Sequence, residues 1–137
     1  MSKHPHFSAL ALCAASAILA FSASCSGSSS EETGGANCLA KARAQLADND
    51  FAGARASIDT LRTKYAMAFN AREEGILLLD SIEIAAAQHD LQTVSAEIAA
   101  NTQTPSDSMQ FLKEEAEQKI KFYTKKLAHD KANFKKH

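Results

Sequence analysis

From Phe69 to Ala100 the sequence runs without proline or a turn signal and carries apolar side chains on two different faces of one predicted helix. Measured from Ile76 at 100° per residue, Leu77, Ile84, Ala87, Leu91, Val94 and Ile98 gather on one face about 100° wide. That face runs the length of the helix. A second face, made of Gly75, Leu78, Leu79, Ile82 and Ala86, stops near Ala86. A helix with two apolar faces must be covered on both. The pattern therefore predicts one partner along the whole helix and another along its first half.

The rest of the chain limits what those partners can be. It has 137 residues, and the first two dozen read as a removable leader, which leaves one small domain. Alanine is abundant, there is no tryptophan, and there are two prolines, a composition that favours helix throughout. After Cys25 the chain carries 14 Lys and Arg against 16 Asp and Glu. A net charge of −2 gives no global attraction to nucleic acid, and no nucleic-acid partner is expected.

Lys3, His4 and His6 precede an apolar run from Ala9 to Phe21, too short to span a bilayer and of the right length for a signal-peptide core. It ends in Ser22-Ala23-Ser24-Cys25. Small residues leading into a cysteine resemble the lipobox of bacterial lipoproteins, with Ser22 where leucine is usual. The resemblance implies a signal peptide over residues 1–24, acylation of Cys25, and residence on a membrane of the cell envelope, in the outer membrane and facing the periplasm or the cell surface. Ordinary cleavage after Ser24 is the alternative. Residues 25–36, rich in Gly and Ser, are expected to form a flexible tether. Within them Glu31-Glu32 resembles acidic surface-export signals, but two glutamates in a linker are more often only solubilising.

Residues 37–66 read as a helix pair. Asn37 is a candidate cap for a helix with Leu39, Ala42 and Leu46 on its face. Asp50 is the expected cap of the next, whose stripe is Phe51, Ala54, Ile58, Leu61 and Tyr65. Phe51-Ala52-Gly53-Ala54 resembles the aromatic-x-x-Ala element of tetratricopeptide units, although the first helix lacks that family's Leu-Gly pair and Ala66 stands where proline is usual. One such pair cannot stand alone, so it must pack on the second face of the long helix.

Residues 67–137 complete an antiparallel coiled-coil hairpin. Asn70-Ala71-Arg72-Glu73 has capping-box spacing at the start of the long helix. Thr104-Pro105-Ser106-Asp107 restarts the chain as a fourth helix, with Thr104 as the expected cap and a stripe of Met109, Leu112, Ala116, Ile120, Tyr123, Leu127 and Phe134. Antiparallel pairing sets Ile98 by Met109, Leu91 by Ala116 and Ile84 by Tyr123. Asp80 and Asp130 interrupt the seam, and are expected to lean outward to Lys126 or Lys131; the alternative is that they fix the register of the hairpin. The segment from Ala87 to Gln118 should project as a bare two-helix arm. The expected fold class is thus all-α, a short tetratricopeptide-like hairpin on the base of a longer one, like small lipoproteins with a coiled-coil end.

No residue pattern predicts catalysis, a cofactor or a metal. His89 and His129 fall about 16 Å apart along the hairpin and cannot share an ion. Cys38, the one thiol remaining after leader removal and acylation, reads as a small packed residue, or else as a site for an intermolecular disulfide. Phe111 and Phe122, eleven residues apart on the polar side of the last helix, are candidates for a protein-partner or homodimer surface. Lys119, Lys121, Lys125 and Lys126 are candidates for contact with anionic lipid or cell-wall polymer. The membrane, through acylated Cys25, is the other expected partner.

Overall fold

The computed structural model describes residues 27–101 and 104–135, so the expected leader and Cys25 lie outside the described residues. The chain is all-helical there: α1 (Gly27–Ala47), α2 (Phe51–Lys64), α3 (Phe69–Ala100) and α4 (Asp107–Phe134). α3 is central. It packs against each of the other three helices, α1 and α2 pack on each other, and α4 meets α3 alone. A short hairpin thus sits on the base of a longer one, as the two faces of α3 require.

The first hairpin turns within three residues. Asn49, at φ 59°, adopts the left-handed conformation that ends α1. The Asn49 N–H donates to the Leu46 carbonyl at 3.1 Å and the Asp50 N–H to that of Gln45 at 2.8 Å, which is a Schellman closure. Asp50 then caps α2, its Oδ1 accepting from the Gly53 N–H at 2.9 Å. The expected stripe is the core: Ala54, Ile58 and Leu61 of α2 are buried against Leu39 and Ala42 of α1 and Ile82 of α3. Each buried Leu or Ile contributes about 1.5–3 kcal/mol. Gly75 lets α2 close on α3, since a Cβ there would stand 2.8 Å from Leu61 Cδ2.

The largest departure from expectation is at the start. Residues 27–36, expected as part of a tether, continue α1 by ten residues beyond Asn37, which is an interior, exposed helix position and caps nothing. Two contacts hold this extension down. Gly35 lies so close to α3 that a Cβ would stand 2.8 Å from that of Ala71 and 2.9 Å from that of Ala68. Glu32 caps α3 from another helix, Oε1 and Oε2 accepting from the N–H groups of Asn70 (3.0 Å) and Ala71 (3.2 Å). Glu31 accepts from the Met67 N–H at 3.2 Å. The capping box expected at Asn70-Ala71-Arg72-Glu73 does not form, because α3 already begins at Phe69 and its N-cap is Ala68, whose side chain has no acceptor. The acidic pair is therefore a long-range cap at the positive end of the central helix.

α4 also begins later than expected. Ser106, not Thr104, is its cap, with Oγ accepting from the Met109 N–H at 3.4 Å. Along its expected stripe Ala116 alone is buried, while Met109, Ile120, Tyr123, Leu127 and Phe134 are half-buried and Leu112 is 53% exposed. Two helices lying side by side cannot enclose large side chains. The cover from α2 ends where the Phe51 ring meets the His89 ring edge-on at 5.8 Å, close to the Ala86 limit set by the apolar pattern. Beyond it α3 and α4 run on as the expected uncovered arm.

Candidate partner-binding site

Every helix that touches α3 brings a base to an acid on it. Glu74 accepts from Arg43 of α1 at 2.7 Å. Glu83 receives the Arg55 fork of α2 in two bonds, 2.5 and 2.9 Å. Asp80 accepts twice from Lys126 of α4, at 2.8 and 3.0 Å. Asp80 does not lean outward as expected: it is 1% exposed, and Lys126 reaches in to it while also binding Asp130 at 2.8 Å. The buried carboxylate sits within an otherwise apolar seam, and one position of α4 alone satisfies it, which sets the register of the long hairpin.

These pairs give the fold a pH signature. Arg55, by its hydrogen bonds, holds Glu83 below its ordinary 4.5. Lys126, and then His129, hold Asp130 below 3.8. Both contributions are complete above those ordinary values and vanish as pH falls through the depressed ones. Lys126, raised above 10.5 by Asp130 and Asp80, contributes fully below 10.5 and loses its effect as pH rises past its own folded value. The melting temperature, followed by circular dichroism, is accordingly expected to be flat between about pH 6 and 9 and to fall below about pH 4.5.

The lysines expected to bind polyanions are not equivalent in the structure. Lys126 is committed to Asp80 and Asp130, and Lys119 to Glu115 at 2.7 Å. Lys121 and Lys125 are exposed. Two of the four are therefore ion-paired within the fold, and two face solvent.

Both phenylalanines expected at a partner surface are exposed. Phe111 is 63% exposed on the arm. Phe122 is 59% exposed and meets the ring of Tyr123 edge-on at 5.0 Å; it does not pack on the first helix pair, because α4 does not reach α1 or α2. Sequence reasoning missed Leu112. Assigned to the seam, it instead opens onto a groove of about 410 Å³ along the arm, lined also by Val94 and Ala116, by Asp90 and Glu97, and by the Glu115–Lys119 ion pair. The signal was available: two helices cannot bury both Leu112 and its seam neighbours without a third.

A second groove, of about 580 Å³, lies over α3 between α2 and α4. Ile58, Ile76, Leu79 and Phe134 line it, with Arg62 and Arg72 at its edge. Cys38 is half-buried and free. Among the described residues no group of three His, Cys, Asp or Glu side chains could hold a metal, and no helix is long and apolar enough to cross a membrane.

Fold and surface together define a small helical bundle with an uncovered two-helix arm, and its exposed apolar side chains lie both on the arm, at Phe111 and Leu112, and off it, at Met67, Phe69 and Phe122. No family model, curated protein or solved structure matches the chain.

Proposed function

We propose that this protein is a lipid-anchored module of the bacterial cell envelope that binds another protein along its arm and has no catalytic role. The arm carries the reading. Phe111 and Leu112 are adjacent, both more than half exposed, and Leu112 opens onto the groove lined by Val94, Ala116, Asp90 and Glu97 and by the Glu115–Lys119 ion pair. A groove of this shape suits an amphipathic helix with basic edges, which would complete the bundle the arm leaves open. The lipobox-like Ser22-Ala23-Ser24-Cys25 supplies the address.

The test is photo-cross-linking in cells from a reactive residue at Phe111, read by mass spectrometry. One foreign protein, lost on Leu112→Ala, is the expected result. Links confined to a second copy of the chain would make the arm a homodimer surface, and no links at all would remove the adaptor reading. Acylation is tested separately: Cys25→Ala should abolish palmitate labelling and release the protein from membranes.

A further inference from the structure

Both ends of the mature chain meet at one end of the bundle. α1 and α3 run parallel, with Glu31 and Glu32 of α1 at Met67, Asn70 and Ala71, and α4 returns antiparallel so that Phe134 shares a groove with Phe69. Because α1 begins at Gly27, Ser26 alone lies between it and Cys25. The two residue steps from Gly27 to Cys25 span at most about 7 Å. An anchor on Cys25 therefore holds this end of the bundle against the bilayer, not on a long leash.

The surface there is suited to that position. Met67 and Phe69, in and just after the turn between α2 and α3, are 57% and 63% exposed. Arg62, Lys64, Lys131 and Lys135 surround this end and are all exposed. Two of the carboxylates nearby, Glu31 and Glu32, face backbone N–H groups of the α3 terminus, and Asp130 faces Lys126. The opposite end has the opposite sign: residues 90–119, which form the arm, carry six acids against two lysines. In the field of an anionic surface this asymmetry turns the basic end inward and the acidic arm outward.

We infer that the end of the bundle formed by the α2–α3 turn and the last turn of α4 is a docking face for an anionic lipid bilayer. Met67 and Phe69 enter the interfacial layer, and Arg62, Lys64, Lys131 and Lys135 meet the headgroups. The inference rests on the lipid-anchor reading for its biological setting. Its test supplies the anchor chemically, so the two fail separately.

The chain contains no tryptophan, so a single one reports its own surroundings. The mature chain, residues 25–137, carrying Cys38→Ala, is coupled through the Cys25 thiol to a maleimide lipid in vesicles containing phosphatidylglycerol and bromine-labelled lipid. Phe69→Trp emission is expected to shift to the blue and to fall roughly twofold through bromine quenching, as for an aromatic ring at acyl-chain depth. Phe111→Trp should show neither effect. Lys64→Glu/Lys131→Glu/Lys135→Glu, or all-phosphatidylcholine vesicles, should reduce the quenching of Phe69→Trp. Absence of quenching at Phe69→Trp, or equal quenching at both positions, would overturn the docking face even if Cys25 proves to be acylated in cells.

Discussion

Lys126→Met is expected to lower stability by about 3 kcal/mol, more than any other surface substitution, because it strands a carboxylate rather than merely removing a contact. The Asp80 side chain is 2% exposed, whereas that of Lys126 is 37% exposed. Water can follow the vacated lysine part of the way in, which places the cost at the low end of the range for breaking a buried pair. For a domain of this size that is about 12 °C in melting temperature. One further measurement identifies the cause: Asp80→Ala combined with Lys126→Met should recover most of the loss, since no charge is then stranded. A loss below about 1 kcal/mol for Lys126→Met, the size of an exposed ion pair, would mean that Asp80 is hydrated in solution and does not set the register.

Gly35→Leu separates a docked α1 from a tether followed by a shorter helix. In an unattached helix the change favours folding, by about 0.8 kcal/mol on the propensity scale, and in a flexible tether it does almost nothing. In the structure the new Cβ meets Ala71 Cβ at 2.8 Å, Ala68 Cβ at 2.9 Å and Leu61 Cδ1 at 3.0 Å. Two of these atoms are fixed to the backbone of the α2–α3 turn and α3 and cannot swing aside. The expected result is a loss of about 3 kcal/mol in urea titration, with faster amide exchange over residues 30–36 and at Asn70 and Ala71, whose N–H groups lose Glu32. Ala36→Leu, one residue on and exposed, is the control and should be silent. A silent Gly35→Leu would restore the tether.

These two substitutions mark the boundary of what the sequence makes legible. The extent of α3, the Asp50 cap and the α2 stripe follow from periodicity and, for Asp50, capping chemistry, which are local, and the structure agrees with them; the capping box expected at Asn70 does not form. The point at which α2 stops covering α3 was readable as the place where the second apolar face ends. The helical course of residues 27–36 was not readable, because Gly and Ser composition argues locally against helix, and the contacts that override it lie some 35 residues away along the chain. Glycine there acts through its small size at a contact, not through its freedom in a loop. Asp80 was visible as an interruption of the seam, but its burial depends on where Lys126 falls across the hairpin. At the arm, Phe111 and Phe122 stood out as apolar residues on a polar face, whereas Leu112 was concealed by fitting the stripe too well.

α4 is bonded to the remainder of the protein through a single helix and one short loop. Every contact it makes, the Lys126–Asp80 bond included, would be reproduced if α4 of one molecule lay on α3 of another and the exchange were returned. The swapped pair would have the same seam, the same charges and the same exposed phenylalanines, and it would differ from two monomers only in the path of residues 101–106. The choice between those two states falls to the connection between α3 and α4 rather than to the helices themselves.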